Sequence, residues 1–338
     1  MRNDEFNRIR NEIVEGLRQH KGEISVRSDG LEEARFRTIM RSLPFDFPEL
    51  FYYYNYRYRK GLRPGEWTIF PMYFYDRITT ERKQEKLAYQ TKQILDKVRS
   101  IPDPTPYRKC LALHNILVRN CEYDKRASGP DKTKLPFSSR TLEGVLISNE
   151  KIAVCAGITK AFKYLCDQLE IPCMAAAGWS ADPGNLSEVE MWRTNPTSWT
   201  HVWNIVRTEY GLGHIDVTWD MCLTDKGGPI RYDYFFLSDQ EMRRDHLYKD
   251  CPECKSTGKN YYGVRNLFFR SLRELDLYIS RQMRGGKRHF CFKVAKGSRD
   301  NTVKNFVYKR GCELLPSGWT MITTQNVAQG IYEFTFKY

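Results

Sequence analysis

Apolar residues recur every three or four positions near the start of the chain, which predicts two amphipathic helices over about 1–20 and 31–43. The two apolar stripes consist of Ile9, Ile13, Leu17, Phe36, Ile39, Met40 and Leu43. A Pro-bearing turn and a run of aromatic residues follow and end at Gly61, and a second aromatic run covers 67–75. Both runs predict strands, and Pro71 favours a sheet edge or a bulge because proline cannot donate to a ladder.

Helical spacing returns in the middle of the chain. Residues 80–100 predict a long, mostly polar helix, and a proline-rich start predicts another over about 105–120. The buried stripe of this second helix continues through Leu113, Leu117 and Cys121. His114 lies beside that stripe and is interpreted as a packed helix residue rather than a ligand. A loop rich in Lys, Pro, Gly and Ser is expected over about 125–140.

The segment CAGITKAFKYLCDQLE again has apolar residues at helical spacing, so a buried helix is predicted to begin at or beside Cys155. Cys166 lies on the buried face of this helix and is interpreted as a packing residue. An apolar strand, IPCMAAAGWS, follows, and a polar loop spans about 181–200. Residues 201–220 read as two short strands around a Gly-containing turn, with Asp220 ending the second strand. RYDYFFLSDQEM then predicts a strand and the start of a helix.

The last part of the chain predicts a helix near 265–283 and strands at HFCFKVA and IYEFTFKY. Helices and strands together indicate an α+β fold. We expect three parts: an N-terminal α+β segment over 1–78, a core domain over 79–262 and a basic α+β segment over 263–338.

Composition limits the class of protein. With 338 residues, 41% of them hydrophobic and 14% aromatic, the chain can bury a sizeable core, which argues against global disorder. No apolar run approaches the 18 or so residues of a membrane span, and the first twenty residues do not resemble a signal peptide. Ten cysteines at this length are ordinary density and favour free thiols. A cytoplasmic location is therefore the default expectation.

Positive charge is concentrated near the C-terminus. The net charge is +13, and residues 265–310 hold thirteen Lys or Arg against three Asp or Glu. Such a segment can be a well-solvated face, or it can attract an anionic partner such as a nucleic acid, an anionic polymer or a membrane surface. No zinc-finger spacing, ribonucleoprotein signature or helix-turn-helix accompanies it.

Three residues form a candidate reactive set. A cysteine becomes a good nucleophile at the positive end of a helix or beside an imidazole, and Cys155 is expected at a helix start. The small residues Ala156 and Gly157 leave its thiol accessible and its backbone N–H groups open to an oxyanion. His201 and Asp216 are fifteen residues apart on two predicted strands, where they would lie roughly opposite each other. His201 would then act as general base, and Asp216 would orient it.

The segments VCAGITKAFKYLCDQLEIPC, HVWNIV and HIDVTWD, in this order, resemble the three core motifs of the transglutaminase-like superfamily. The likeness covers about 105–250 and is greatest to bacterial proteins with a central transglutaminase core. It implies a papain-like fold in which a helix bearing the nucleophilic cysteine packs on an antiparallel sheet. By correspondence Cys155 is the nucleophile, His201 the base and Asp216 the orienting acid of a catalytic triad.

The chain departs from the family pattern beside the nucleophile. CAGIT stands where relatives often have Cys, Gln or Glu, Gly, an aromatic residue and Ala. Leu142 and Glu143 occupy positions where an aromatic residue and a glycine are common. These changes border the expected site and bear on substrate preference and on activity itself.

Tryptophans surround the candidate triad in the sequence. Trp199, Trp203 and Trp219 bracket the histidine and the aspartate and are candidates for the wall of an acyl-binding groove, although core packing is the alternative. Trp179 and Trp192 fall in the variable loop, where substrate contact is expected. The predicted substrate-binding residues are Trp179, Trp192, Trp199 and Trp203. His214 shares a strand face with Asp216, and a structural role is favoured for it.

HLYKDCPEC offers a competing arrangement. His246, Cys251 and Cys254 have the character of a zinc site, but structural zinc requires four ligands and Cys222 could be the fourth only through folding. A loop with a Pro-containing turn is the preferred interpretation. No metal and no cofactor is expected.

These observations favour a cysteine-nucleophile acyl-transfer enzyme acting on a protein or peptide amide. Either water would resolve its thioester, as in a peptidase or amidase, or an amine would, as in cross-linking. The alternative is a catalytically weak or inactive transglutaminase fold that serves as a binding or scaffold protein with a basic C-terminal surface.

Overall fold

The structure of the protein is a computed structural model that describes residues 3–28, 30–129, 132–181, 200–295 and 300–338. The chain divides into two compact units, Met1–Ala175 and Ala176–Tyr338. Their boundary lies within the predicted core domain, and the division into three segments stays a prediction. Helices and strands occur in both units, which confirms the α+β class.

The first unit begins with helices on a small antiparallel sheet. Its first elements are α1 (Asn3–Arg18), β1 (Ile24–Arg27), α2 (Glu33–Asp46), β2 (Tyr53–Lys60) and β3 (Glu66–Tyr73). The strand order is β1-β3-β2, and all the pairs are antiparallel. Phe36 of α2 stacks on Trp67 of β3, with ring centroids 4.6 Å apart, and both rings are buried. This sheet therefore has its apolar face under α2.

Two sequence predictions need correction in this region. Helix α2 continues through Pro44, where a turn was expected; proline is tolerated here because it lies close to the helix end. Strand β3 is the middle strand of the sheet and not an edge strand, but the register of its pairing with β2 shifts between Tyr53 and Asn55, close to Pro71, in agreement with the alternative of a bulge. The neighbouring strand β1 pairs with β3 only as far as Ile69. Pro71 therefore pairs with β2 alone, and on its other side there is no strand to which a backbone N–H would donate.

A helical layer completes the first unit. It contains α3 (Arg77–Arg99), α4 (Pro106–Asn120), β4 (Glu122–Tyr123), α5 (Leu142–Leu146), β5 (Ile152–Ala153) and α6 (Cys155–Asp167). Asp76 caps α3 and Thr105 caps α4, with Pro106 in the first turn of α4. α4 packs on α3 and on α6, and His114 is fully buried within α4, in agreement with its predicted packing role.

The second unit holds a five-stranded sheet of order β10-β6-β7-β8-β9. Its elements are β6 (Cys173–Ser180), β7 (His201–Thr208), β8 (Gly211–Ile215), α7 (Val217–Leu223), β9 (Phe235–Leu237), α8 (Asp239–Met242) and β10 (His246–Tyr248). The β10–β6, β7–β8 and β8–β9 pairs are antiparallel. The predicted second strand over 201–220 ends at Ile215, and Asp220 lies within helix α7. The reason is local: the Asp216 side chain accepts the backbone N–H of Trp219 and caps the helix.

A four-stranded sheet of order β11-β12-β14-β13 closes the chain. The elements are α9 (Tyr261–Val264), β11 (Phe268–Phe269), α10 (Leu272–Arg284), β12 (His289–Val294), α11 (Asp300–Leu314), β13 (Thr320–Asn326) and β14 (Ile331–Lys337). The helix predicted near 265–283 is shorter than expected because β11 precedes it and Ser271 caps α10. The core between this sheet and its helices has Phe290, Phe292 and Phe334 fully buried at its centre. No helix in the described ranges is long and apolar enough to cross a bilayer.

Candidate active site

Cys155 is the first residue of α6, as its position in the sequence predicted. The preceding Val154 is the helix cap and has no side-chain oxygen to satisfy the first N–H groups. Its own N–H donates to the carbonyl of Ser139 over 3.0 Å, which fixes where the helix begins. The thiol is half-buried and is not in a disulfide. The positive end of the helix macrodipole thus lies beside this sulfur.

Gly157 explains the small residues that follow the cysteine. A Cβ at this position would lie 2.6 Å from the carbonyl oxygen of Ser139 and 2.8 Å from that of Thr141. Both are backbone atoms, so a larger residue would displace the segment that holds the start of α6. Glycine at position 157 is therefore required by the close approach of Ser139 and Thr141.

A lysine of the same helix interacts electrostatically with the thiol group. Lys160 donates its Nζ to the carbonyl of Arg140 over 3.0 Å and lies 4.7 Å above the ring of Phe45. Burial lowers the pKa of Lys160 to about 8, and a thiolate at Cys155 opposes that shift. Cys166, further along the helix, is fully buried; burial and the neighbouring thiols of Cys110 and Cys173 raise its pKa well above the ordinary value, as suits a packing residue.

Glu143, which stands where relatives often have glycine, is buried on α5 and compensated by two partners. The Nζ of Lys83 lies 2.6 Å from its Oε1, and the hydroxyl of Tyr75 donates to its Oε2 over 2.8 Å. Burial, together with this carboxylate, raises the pKa of Tyr75. Lys83 and Glu143 line a cavity of about 530 Å³ together with Arg82 and Lys86. The departure from the family pattern thus produces a charged, partly basic cleft in the first unit.

In the second unit, His201 and Asp216 are in direct contact. His201 opens β7 and Asp216 follows β8. The register pairs Asn204 with Ile215, so the two side chains meet diagonally, where a roughly opposite placement was expected. The Nε2 of His201 lies 2.5 Å from the Oδ2 of Asp216, and the side chains are 8% and 0% exposed. An ionised carboxylate at this distance holds a proton on Nε2 and therefore fixes the tautomer of the ring.

Asp216 has two further partners. Its Oδ1 accepts the backbone N–H of Trp219 over 3.1 Å, and its Oδ2 lies 3.3 Å from the Nε2 of His246. Burial would raise the pKa of Asp216, but the two histidines outweigh this and hold the pKa below its ordinary value. The carboxylate is therefore charged, oriented by the start of α7 and shared between His201 and His246.

His246 was missed as part of this cluster, because the sequence associated it with the CxxC pair. Its Nδ1 lies 2.7 Å from the Oδ1 of Asp245, and its Nε2 faces Asp216. Both ring nitrogens thus face carboxylates, and the ring does not join Cys251 and Cys254 in one set of ligands. Burial would lower the pKa of His246, but the bonds to Asp216 and Asp245 raise it overall. The Asp-His dipeptide at 245–246 was the one signal in the sequence.

His214 forms a separate hydrogen-bonded pair, as its predicted structural role requires. Its Nδ1 accepts the indole N–H of Trp203 over 3.0 Å, and its Nε2 donates to the Oδ1 of Asp239 over 2.9 Å. Burial lowers the pKa of His214 although Asp239 opposes the shift. Trp203 also stacks on the ring of His201, with centroids 5.7 Å apart. The neutral pair formed by Trp203 and His214 thus supports His201 from within the core.

Among the residues that the structure describes, two groups of side chains have donor atoms close enough to hold a cation: His201, Asp216 and His246, and His214, Asp239 and Cys254. In the second group the Nε2 of His214 carries a proton because its Nδ1 accepts from Trp203, so it cannot ligate a metal without losing that bond. In the first group both Nε2 atoms face one carboxylate oxygen at hydrogen-bond distances. Protons account for the contacts of both groups.

The predicted substrate-binding tryptophans have different outcomes. Trp179 lies on β6 instead of in the variable loop and is 6% exposed. Trp203 is 1% exposed, so it is a core residue that presents almost no surface to a substrate. Trp192 and Trp199 lie outside the described residues. Trp219 lies on α7 and donates its indole N–H to the hydroxyl of Ser180 over 3.1 Å.

Three solved structures are similar to parts of this chain. A structure of a TGase is 10% identical and covers 58% of this chain and 50% of its own, with a TM-score of 0.30. A proposed cysteine protease from Cytophaga hutchinsonii is 14% identical and covers 48% and 61%, with a TM-score of 0.27. A proposed protease from Parabacteroides distasonis is 10% identical and covers 48% and 35%, with a TM-score of 0.27. The chain thus spans about half of the first of these proteins.

One family model matches the central region of the chain. No curated protein has a sequence that matches the chain. Residues 92–217 match the family model of the transglutaminase-like superfamily, and this range contains Cys155, His201 and Asp216. Through residues 92–217, which are less than half of its length, the chain is similar to the transglutaminase-like superfamily.

Proposed function

We propose that the protein is a cysteine-nucleophile acyl-transfer enzyme of the transglutaminase-like type. The observation that carries the proposal is the buried contact of 2.5 Å between His201 and Asp216. Burying a carboxylate costs free energy unless it is paired, and this pair holds the imidazole in one tautomer, which is what a general base requires. The start of helix α6 supplies Cys155, the only member of the proposed triad that can act as a nucleophile.

The proposed reaction has two stages. Cys155 gives its proton to the Nδ1 of His201, and the thiolate attacks the carbonyl carbon of a carboxamide or peptide bond. His201 then protonates the departing nitrogen, the C–N bond breaks and a thioester forms. In the second stage water or an amine gives a proton to His201 and attacks the thioester carbon. The C–S bond then breaks, and the sulfur takes the proton from His201, which restores the thiol. The substrate is a protein or peptide in either case.

Water and amine acceptors lead to different activities of the same site. Resolution by water gives a peptidase or amidase, and resolution by an amine gives cross-linking. The choice depends on the access of water and of an amine to the thioester. We keep both outcomes within the proposal because they share the first stage.

The basic C-terminal segment supports a proposal about partners. Its exposed cations include Arg265, Arg270, Arg273, Arg281, Arg284, Lys287 and Lys309. Others serve inside the fold: Lys293 is buried beside Glu241, and Arg310 pairs with Asp276 and Glu313. We propose that the exposed group binds an anionic partner or surface, with an affinity that falls as salt is raised.

The second candidate is a catalytically weak or inactive protein that uses this fold as a scaffold. The observation that favours it is Glu143, which forms a buried ion pair with Lys83. Glu143 lies on α5, the helix packed against α6, at a position where glycine is common in the family. In that case the three triad residues would serve only in packing, and the protein would not act on any amide substrate.

One experiment separates these candidates. The protein is incubated with a glutamine-bearing protein and a fluorescent primary amine, and products are followed by mass spectrometry. Covalent amine incorporation indicates transfer, conversion of glutamine to glutamate or cleavage of a peptide bond indicates hydrolysis, and an acyl adduct on Cys155 indicates the thioester. Cys155→Ala and His201→Ala should abolish each signal. Identical yields from the wild-type protein and Cys155→Ala would contradict the enzyme proposal and favour the scaffold.

A further inference from the structure

A second histidine contacts the carboxylate that holds His201. His246 lies on β10, where it pairs with Ser180 of β6, and its side chain is fully buried. Its Nε2 is 3.3 Å from the Oδ2 of Asp216, and its Nδ1 is 2.7 Å from the Oδ1 of Asp245. One imidazole thus bridges two carboxylates.

The partners of Asp245 show that this carboxylate is ionised. Its Oδ2 accepts the hydroxyl of Tyr234 over 2.8 Å and the amide of Gln329 over 2.9 Å. The Tyr234 hydroxyl has to be the donor, because its oxygen accepts the amide N–H of Asn326 over 3.1 Å. The other carboxylate oxygen of Asp245, Oδ1, faces His246. Neither oxygen therefore has room for a proton of its own.

Asp216 is an acceptor at each of its contacts for the same reason. Its Oδ1 accepts a backbone N–H, and its Oδ2 faces two imidazole nitrogens. A neutral imidazole has one N–H and could serve only one of the two carboxylates beside His246. Both nitrogens must donate, so the geometry makes His246 an imidazolium. The charge also offsets the cost of burying two carboxylates together.

We propose that His246 is a positioning residue of the site: a buried imidazolium that balances Asp216 and thereby leaves His201 able to be neutral and accept a proton. This inference rests on the proposed function. Without a second cation, the buried Asp216 carboxylate would be balanced only by a proton on His201. His201 would then remain protonated at neutral pH and could not act as a base.

Several groups contribute to the electrostatics around His246. Among the described residues, the titratable groups that face or interact with its ring are His201, His214, Asp216, Tyr234 and Asp245. The rings of Trp203 and Trp219 pack on it, with centroids 5.1 Å and 5.4 Å away. His214 is neutral by its own bonds, and Tyr234 is a donor. The nearby charges therefore come from the two carboxylates, and His201 adds a charge only when it is protonated.

The size of the effect follows from distance. The rings of His201 and His246 are 5.6 Å apart, centroid to centroid. Two unit charges at that separation, with an effective dielectric constant of about 20, shift each other's titration by about two pH units. Replacing His246 by a neutral residue should therefore raise the pH at which His201 loses its proton by about two units.

The test is nitrogen NMR of the full chain labelled in its six histidines. In the wild-type protein at neutral pH, His246 should show two protonated ring nitrogens and His214 one. In His246→Gln the His201 titration should move upward by about two units, and the pH optimum of any acyl transfer should follow it. The matched control is His214→Gln, another fully buried histidine, which removes no charge and should leave the His201 titration unchanged.

The outcomes are distinct. A neutral His246 in the wild-type spectrum overturns the inference even if the variants do not fold, and so does a metal-bound signal or a stoichiometric metal in the purified protein. An unshifted His201 in a folded His246→Gln variant also overturns it. If His246 is an imidazolium but no substrate forms an adduct on Cys155, the proposed function fails while the charge arrangement stands.

Discussion

Replacing Asp216 by Asn should remove the basicity of His201 while leaving the surrounding structure nearly intact. The two side chains have the same shape, and the amide oxygen can still accept the backbone N–H of Trp219 at the start of α7. The amide nitrogen then takes the place of Oδ2 and donates to the Nε2 of His201. The ring proton must move to Nδ1, the atom that we propose receives the proton of Cys155.

The magnitude can be worked from the contact. A bond of 2.5 Å between Nε2 and Oδ2 places the two charge centres roughly 4 Å apart when His201 is protonated. At an effective dielectric constant of about 20, this attraction is about 4 kcal/mol, or about a thousandfold in rate. The change of tautomer adds to this effect, so the rate of acyl transfer should fall by between about 10³-fold and 10⁴-fold.

The assay is the rate of alkylation of each cysteine at neutral pH, resolved by peptide mass spectrometry. Cys222 and Cys312 are exposed and serve as internal references within the same sample. Asp216→Asn should slow Cys155 greatly and leave both references unchanged. The matched control is Asp239→Asn, which makes the same substitution beside the neutral His214 and should leave Cys155 at its wild-type rate. A wild-type rate for Cys155 in a folded Asp216→Asn variant would refute the reasoning.

Three further predictions concern stability. Gly157→Ala places a Cβ 2.6 Å from the carbonyl of Ser139 and should cost about 1–3 kcal/mol in denaturant unfolding; an unchanged midpoint would contradict the close approach. Phe292→Ala should cost about 3–5 kcal/mol, because the ring is fully buried and stacks in the C-terminal core; a loss below about 1 kcal/mol would show that the core is loose there. Asp216 and Asp239 have lowered pKa values in the folded state, so their contribution to stability is present above the ordinary carboxyl pKa and is lost as pH falls below it. The free energy of unfolding should therefore drop below about pH 5, with a shallower drop in Asp239→Asn, and equal slopes would count against the ionised Asp239.

The sequence predicted the elements that depend on local spacing. Helices α4 and α6 have clear apolar stripes, and the predicted start of α6 at or beside Cys155 is confirmed. The contact between His201 and Asp216 was also foreseen, although its diagonal register was not, because a strand register depends on pairing and not on composition. Strand β13 was missed because its apolar residues do not follow its burial: Ile322 is exposed, and the one buried position holds the polar Asn326.

Two features depended on information that local patterns do not contain. Residues 217–219 look like a strand because they are β-branched and aromatic, yet the Asp216 side chain caps them as a helix. His246 lies thirty residues beyond Asp216 and meets it only because β10 pairs with β6. The CxxC pair nearby drew attention to a metal instead. A dipeptide of Asp and His has no periodicity that could reveal such a contact.

The central claim is that His201 activates Cys155, and the pH dependence of alkylation tests it most directly. The rate at Cys155 is measured from about pH 4 to pH 10, which brackets ordinary imidazole and thiol titrations, in the wild-type protein and in His201→Ala, with Cys222 as the reference. The account predicts that wild-type Cys155 reacts well below the pH at which Cys222 begins to react, and that His201→Ala removes this difference. A Cys155 profile that matches Cys222 in the wild-type protein, or one that His201→Ala does not change, would contradict the account.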